Sequence, residues 1–493
     1  MTQATGGRGA CARRRPLRRL HAGASRAAER VAIVGVALVA LLAPRAWSVD
    51  SRSESQSVTS LGEREPMETE PLTVGECVRL ALSAADRGQP ALASYASAMD
   101  AASASEDRQG QARSRLLPQV FGQARYSRTT SNPSVQKIDP NTGTLIAQNT
   151  TVVTPNWSYS VNVSQTVWDG QTFSSYRAAG HLSQSAVERE RSQRLALGLE
   201  VRRVAYELLR AQRLLEVRRE ALELANAQLR ETENRYRLGS AARADLLRAK
   251  ATTGGNRVDF LRQENVVERG RADLNYLLGR APDAKTEVVD EPLLPEADPE
   301  LAELRARADE ENPDLVAAGL AEKASRHGVA SAKRARYPSM ASSLTYGWNA
   351  PVRPEGLDSF QDDWFWTVGV SLSVPVFDGW SSKSGIRRAT EGRLAAERDF
   401  ALGLRAVHGS LQTTHASLLE ARARADVARE SVAAAEEELR LEEERYRLGA
   451  GRLIELLDAQ LTLASSRSDL INAVYDYWLA RSQLARLVGA ESL

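Results

Sequence analysis

Four short stretches of the chain alternate apolar with small or polar residues, a pattern that predicts β-strands. The strands are expected near residues 119–127, 157–167, 339–348 and 364–376. Their apolar faces are rich in tryptophan and tyrosine at their ends. The polar segment between the first two stretches, residues 129–155, carries Asn-Pro, Asp-Pro and Thr-Gly pairs and is predicted to be a loop.

Most of the remaining apolar residues follow helical spacing. Residues 171–278 and 380–488 are each predicted to form a long helical hairpin, turning at a glycine. Two series recur every seven residues, as in a coiled-coil seam: Leu208, Leu215, Leu222, Leu229 and Tyr236, then Leu418, Ala425, Val432, Leu439 and Tyr446. A long helix with one narrow apolar stripe has no core of its own. It must therefore pack along other long helices, either its own return helix or those of neighbouring chains.

The sequence also repeats itself at a long interval. The turn Arg235-Tyr-Arg-Leu-Gly239 returns as Arg445-Tyr-Arg-Leu-Gly449, and the two seams match at the same offset. Such self-similarity indicates one structural unit built twice. The predicted fold is therefore mainly α, in two tandem repeats with two strands each. The first repeat spans residues 72–279 and the second residues 300–493, with a linker at 280–299.

The N-terminus has the features of a secretory signal peptide. A basic run precedes an apolar stretch from Val31 to Leu42, and Ala46-Trp-Ser48 provides a small-x-small cleavage site. We therefore expect residues 1–48 to be removed and the polar residues 49–71 to be a flexible leader. A retained membrane anchor is the alternative. Removal would leave Cys77 as the only thiol, which excludes an intramolecular disulfide.

Composition and motifs argue against several classes of function. A net charge of +2 leaves no overall excess of basic residues for nucleic-acid binding. No nucleophile motif and no Walker-type phosphate loop are present. The histidines are scattered along the sequence: His181, His327, His408 and His415. The sequence therefore predicts no enzyme, no catalytic residue, no cofactor and no metal site.

Apolar-out, polar-in strands with aromatic ends are typical of a membrane β-barrel. A soluble antiparallel sheet packed on a helix gives the same alternation and is the alternative. A signal peptide permits an outer-membrane location, and no all-apolar helix is left to cover the sheet. Four strands cannot close a barrel in lipid, so several chains would have to pool them. A channel favours three chains or more over two.

The chain resembles the TolC-type outer-membrane efflux proteins over essentially its whole mature length. The resemblance rests on an ordered set of pieces: the opening Leu72-Thr-Val-Gly-Glu-Cys-Val-Arg-Leu-Ala-Leu82, the helix-ending Leu-Leu-Pro118, the duplicated Tyr-Arg-Leu-Gly turn followed by Asp/Glu-Leu-Leu-x-Ala, and Val376-Phe-Asp-Gly379. It implies a homotrimer in the outer membrane of a Gram-negative bacterium. A twelve-stranded barrel would contact the outer-membrane lipid, and an α-helical tunnel would cross the periplasm. A periplasmic adaptor and an inner-membrane pump would be the partners, in efflux or type I secretion, with passive transport through the duct.

The resemblance also implies a gate at the tunnel end, formed by residues near the second turn and one partner from the first: Glu455, Asp458, Tyr446, Asp245 and Arg452. Three chains would place rings of carboxylates around a narrow pore, which attracts cations. The gate arginine of the family archetype aligns with Gly451, and Arg452 is the nearest arginine. The alternative is that these acids simply suit the first turn of a helix, and that Tyr446 is the last seam residue.

The two turns are, by the same resemblance, the tips that dock an adaptor: Arg235, Leu238, Gly239, Arg445, Leu448 and Gly449. The tip of a helical hairpin far from the barrel is available for contact. The rival function is a periplasmic coiled-coil scaffold or adaptor without a membrane barrel.

Overall fold

The computed structural model describes residues 71–87, 93–138, 140, 143, 145–289, 294–295, 297–352 and 363–493. This part of the chain is mainly helical. The helices are α1 (Val74–Asp86), α2 (Ala93–Ser114), α3 (Gly170–Arg237), α4 (Arg243–Leu278), α5 (Leu301–Glu311), α6 (Pro313–Arg334), α7 (Ser381–Arg447) and α8 (Leu453–Leu487). The strands are β1 (Gln119–Ser131), β2 (Ser134–Ile138), β3 (Leu145–Asn149), β4 (Val152–Trp168), β5 (Ser339–Ala350) and β6 (Trp364–Ser373). The predicted signal peptide, and all of the predicted leader except Pro71, lie outside the described residues.

Four strands form one antiparallel sheet in the order β1-β4-β5-β6. The register brings apolar residues into rows that cross the sheet on one face, such as Val120, Val163, Leu344 and Val368. Side chains of the adjacent row point to the other face of the sheet. There the side-chain amide of Asn162 donates to the Thr345 hydroxyl at 2.9 Å. One face of the sheet is thus apolar and the other largely polar.

The register shifts once, between Thr166 and Trp168 of β4. A single extra residue in a strand reverses the face of every side chain beyond it. Because of this bulge, Trp168 pairs with Met340 and joins the apolar face, where it is exposed. The bulge therefore adds a tryptophan at the end of the sheet that adjoins the helices.

The first two strands of the sheet are longer than the alternation predicts, and the predicted loop between them is wrong in part. β1 continues to Ser131, β4 begins at Val152, and β2 pairs with β3 inside the segment expected to be a loop. Pro155 argued against a strand at the start of β4, because proline has no backbone N–H to donate to a neighbouring strand. Here β4 pairs with β1 alone, because its pairing with β5 begins at Trp157. The last strand of the sheet is shorter than expected and ends at Ser373.

The long helices form two hairpins, α3 with α4 and α7 with α8, and shorter helices pack beside them. The second predicted seam is buried at Leu418, Ala425, Leu439 and Tyr446. In the first predicted seam, Leu208 is buried, Leu215, Leu222 and Leu229 are half-buried, and Tyr236 is exposed, so its distal part is packed less deeply within the chain. There the buried residues of α3 are Ala225, Gln228 and Thr232, on a neighbouring face of the helix. Polar groups of α4 account for the shift, since Thr253 and Asn256 donate to the carbonyls of Ala225 and Ala221.

The described part of the predicted linker is packed against the helices. Thr286 is buried and donates to the Asn275 amide oxygen at 2.5 Å, and Val288 pairs with Leu72. Near the end of the linker, Asp298 accepts hydrogen bonds from Arg422 of α7 and Tyr477 of α8, each at 2.8 Å. None of the described helices has the length and apolar character needed to cross a bilayer.

Candidate gate and docking tips

Both long hairpins turn through the same backbone motif. α3 is capped by Leu238, and Gly239 follows with φ of 76° in the left-handed region that suits glycine. The amide of Ser240 donates to the Arg235 carbonyl at 2.8 Å, and that of Gly239 to the Tyr236 carbonyl at 3.0 Å. These two bonds define a Schellman motif, which satisfies the last carbonyls of the helix.

The second tip repeats this geometry at Leu448 and Gly449. Gly449 has φ of 73°, and the amide of Ala450 donates to the Arg445 carbonyl at 2.9 Å. The capping leucines point away from their own hairpins, Leu238 being 83% exposed and Leu448 79% exposed. Each predicted docking tip therefore presents one solvent-exposed leucine on a turn that is held by backbone hydrogen bonds.

The two tips are joined by a contact between the repeats. The guanidinium carbon of Arg235 lies 4.4 Å from the centroid of the Tyr446 ring, a cation–π geometry. Glu231 pairs with the same guanidinium at 2.5 Å and orients it. Arg235 is a candidate docking residue and Tyr446 a candidate gate residue, and the structure brings the two side chains together.

The two turn tyrosines have different environments although their sequences match. Tyr446 is only 9% exposed and packs with Leu439, Leu453 and Leu456 in the core of the second hairpin. Tyr236 is 41% exposed. The second tip is thus a packed cluster, and it carries Glu455 and Asp458, two of the three candidate gate acids.

Four of the five candidate gate residues are close along the chain, and Asp245 comes from the first repeat; the five make few contacts with one another. A Glu455 carboxylate oxygen accepts from the Arg452 amide at 3.1 Å and so caps α8. Asp458 is exposed, Asp245 is half-buried, and the side chain of Arg452 is exposed. Within the described residues, Asp458 and Asp245 form no ion pair and no side-chain hydrogen bond, so both carboxylates are available to solvent or to a second chain.

Gly451 occupies a position that has no room for a side chain. A Cβ there would lie 2.9 Å from the Tyr446 nitrogen and 3.1 Å from the Arg445 carbonyl carbon. The Gly451 amide instead donates to the Arg445 carbonyl at 2.9 Å. The arginine that the family archetype carries at this position would therefore not fit this turn, a constraint that the sequence alone does not reveal.

Two of the scattered histidines meet in the structure. The rings of His181 in α3 and His327 in α6 stack with centroids 5.3 Å apart. Burial is the first cause that lowers the pKa of His327, and the neighbouring His181 adds to it. In the described ranges, no three histidine, cysteine or acidic side chains come close enough to hold a metal ion.

The sheet carries the second candidate site. Its apolar face is exposed in the single chain, including Trp366, Val368, Val370 and Leu372. Among the described strands, β1 pairs only with β4 in this sheet and β6 only with β5, so both outer edges lack a partner. Exposed apolar faces of this size mark interaction with a membrane or another protein.

Comparisons with known proteins agree with this geometry. The model of the family described as outer membrane efflux protein matches residues 81–280 and 304–490. Outer membrane protein TolC of Vibrio cholerae serotype O1 is 25% identical over 412 residues, which are 83% of this chain and 89% of that protein.

Solved channel structures share the fold. The structure of VceC from Vibrio cholerae aligns with a TM-score of 0.70 at 20% identity, covering 85% of this chain and 96% of that one. The CmeC outer membrane channel of Campylobacter jejuni aligns with a TM-score of 0.71 at 18% identity, covering 88% of this chain and 91% of that one.

The chain belongs to the outer membrane efflux protein family, a family of transport channels and not of enzymes. It is an exit duct in the outer membrane for tripartite efflux systems, and its helical part lies in the periplasm.

Proposed function

We propose that three copies of this chain, each a tandem repeat, close a twelve-stranded barrel in the outer membrane above a common helical tunnel. The observation that carries the proposal is the four-stranded sheet with an exposed apolar face and two unpaired edges. Unpaired strand edges in lipid cost several kcal/mol for each backbone group, which pairing between β6 of one copy and β1 of the next would remove. Three sheets of four strands give twelve.

The helices supply a second reason for assembly. An exposed apolar stripe runs along α4 through Leu247, Ala251, Gly254, Val258 and Leu261. Another runs along α7 through Val427, Ala434 and Leu441, one residue every heptad. Stripes of this spacing pack against other long helices. Their exposure in the single chain supports contacts between copies along the tunnel.

The proposed gate lies at the tips. In a trimer, Glu455, Asp458 and Asp245 would each form a ring of three carboxylates around the pore. Such rings attract cations and repel anions in a narrow passage. Arg235 on the Tyr446 ring ties the first tip of a chain to the second and would hold the constriction closed. Arg452 is the proposed counter-charge beside the ring.

The proposed partners are a periplasmic adaptor, which docks on Leu238 and Leu448 of the two tips, and an inner-membrane pump that supplies the energy. The Schellman turns at Gly239 and Gly449 hold both leucines in fixed positions, which lowers the entropy lost on docking. The cargo would then be selected at the pump and pass through the duct without a binding step of its own.

Single-channel recording tests the gate. With Glu455→Gln and Asp458→Asn combined, we expect the preference for cations over anions to fall by at least half, because two carboxylate rings lose their charge. The matched control is Glu264→Gln, an exposed acid of α4 remote from the tips, which should leave selectivity unchanged. Unchanged selectivity in the double variant would remove both residues from the pore lining.

A further inference from the structure

The helix segments that adjoin the sheet carry positive charge and no negative charge. Residues 108–118, 170–180, 328–338 and 380–390 are the eleven-residue windows next to the strands. They contain three, one, three and three lysines or arginines, and no aspartate or glutamate. An eleven-residue helical window is about 16 Å tall at a rise of 1.5 Å per residue. We call these four windows the basic band.

The charges of the basic band are not neutralised within the chain. In the part that the structure describes, none of its ten cationic side chains forms an ion pair with a carboxylate, although ion pairs are frequent along the hairpins below. Asp169 and Asp378, just outside the band, accept from backbone amides at the starts of α3 and α7. Ten cationic side chains without an ion-pair partner attract anions to this band.

One part of the basic band is a shaped cleft. It lies between α2 and α3 and has a volume of about 170 Å³; its lining residues are Arg108, Gln111, Ala112, Arg115, Thr172 and Ser175. No carboxylate lines it. The Thr172 hydroxyl donates to Asp169, and the Ser175 hydroxyl is shared with Ser331 at 2.9 Å. Two guanidinium groups and the Gln111 amide remain as donors, a set that suits a phosphate oxygen cluster.

The second repeat offers an internal comparison. Pro118 and Pro338 end the corresponding helices, 220 positions apart. At this offset, Arg108 and Arg115 correspond to Gly328 and Ala335. The paired arginines of the cleft are therefore a feature of the first repeat alone and not a consequence of the shared helical plan.

The basic band lies at the level where the apolar face of the sheet ends. Trp168 and Trp380 are exposed there, and the Lys383 ammonium lies 5.2 Å from the centroid of the Trp380 ring. Tryptophan beside lysine or arginine is the arrangement that proteins place at the boundary between lipid chains and headgroups. Phosphate groups of lipids lie at the same depth.

We propose that the basic band binds the phosphate groups of anionic lipid headgroups at the periplasmic boundary of the membrane, with the Arg108–Arg115 cleft as its best-formed site. The inference rests on the proposed membrane position of the sheet. Each lysine or arginine near an anionic lipid surface contributes about 1 kcal/mol. Loss of two charges should therefore weaken binding roughly 30-fold, at tenfold for each 1.4 kcal/mol.

The test uses the full-length, detergent-extracted protein titrated with mixed micelles containing phosphatidylglycerol or phosphatidylcholine, with retained lipid counted by native mass spectrometry. We expect the wild type to retain phosphatidylglycerol preferentially and the variant Arg108→Gln/Arg115→Gln to lose that preference roughly 30-fold. The control Arg219→Gln/Arg257→Gln removes two arginines that have no carboxylate partner in the described structure and lie on the hairpin. It should bind as the wild type does. Melting of helical circular dichroism checks that both variants fold.

Three outcomes would overturn the inference. The first is no preference for phosphatidylglycerol in the wild type, and the second is equal loss in both double variants. The third is displacement of the lipid by millimolar inorganic phosphate, which would make a free anion the ligand. Failure of the protein to enter vesicles of phosphatidylcholine alone would instead contradict the proposed membrane position of the sheet.

Discussion

Three side chains at the second tip show how single residues shape the proposed gate. Tyr446 packs into the hairpin core, Arg235 covers its ring from the other repeat, and Glu455 caps α8. The sequence pointed to all three, because the turn is duplicated and resembles a family motif. It could not place Arg235 on Tyr446, since that contact joins positions 211 residues apart through tertiary packing.

Substitution of Gly451 tests the steric fit of the turn. Gly451→Ala puts a methyl group 2.9 Å from the Tyr446 nitrogen, and we expect a local loss of about 1–3 kcal/mol from overpacking. Amide hydrogen exchange of residues 440–456 should rise accordingly. The control Gly255→Ala adds a methyl group in open space on α4, where alanine should stabilise the helix by about 0.5–1 kcal/mol. Equal exchange at the tip in wild type and Gly451→Ala would refute the steric argument.

Cys77 provides a chemical probe of the helical core. Its side chain is fully buried beside Val74 and Ala81, and burial raises the pKa of the thiol to about 11. A thiol reagent at pH 8 should not label the folded protein and should label one thiol per chain in guanidinium chloride. Two thiols would mean that Cys11 and the predicted signal peptide are retained. Labelling of the folded chain at the unfolded rate would contradict the burial.

The raised pKa of the Cys77 thiol lowers the free energy of unfolding at high pH. The folded thiol keeps its proton at pH values where the unfolded thiol, with an ordinary pKa of about 8.5, has lost it. The unfolded state then binds fewer protons, so this group lowers the free energy of unfolding as pH rises from about 8.5 toward 11. Below that range Cys77 contributes no pH dependence.

At the scale of elements, the long helices were predictable and the extent of the strands was not. Helical spacing and glycine turns predicted hairpins at 171–278 and 380–488, and the observed hairpins begin and end within one residue of these bounds. The β2–β3 hairpin was missed because proline and asparagine in its flanks indicate loops, and strand pairing depends on partners distant in sequence. The packed linker was missed because nothing local marks Asp298 as a partner of Arg422 and Tyr477.

Asp298 connects the linker to α7 and α8, and its removal should destabilise that junction. Asp298→Ala leaves the buried Tyr477 hydroxyl and the Arg422 guanidinium without their shared acceptor. We expect a loss of about 2–3 kcal/mol in the free energy of unfolding, measured by guanidinium denaturation. Asp298→Asn keeps one acceptor oxygen and should lose about half as much. If the free energy of unfolding of Asp298→Ala fell by less than about 0.5 kcal/mol, the contacts of Asp298 would not stabilise this junction.

At the scale of the whole molecule, the single chain is incomplete in three places. The sheet has two unpaired edges, its apolar face is exposed, and two apolar stripes run unpartnered along α4 and α7. The proposed assembly of three chains in the outer membrane would complete all three together. The sequence indicated the need for assembly, because four strands cannot close a barrel in lipid. The exposed stripes on α4 and α7 could be identified only from the contacts within the folded chain.

The mass of the detergent-extracted, unheated protein, measured by light scattering on material taken from a defined membrane fraction, tests this account most directly. We predict a particle of three chains, each near 53.8 kDa less the signal peptide, recovered from the outer membrane. The double variant Val427→Glu/Leu441→Glu, on the α7 stripe, should shift that mass toward the mass of the single chain. A wild-type monomer or dimer that is soluble without detergent would contradict the account, because its strands would then never meet lipid.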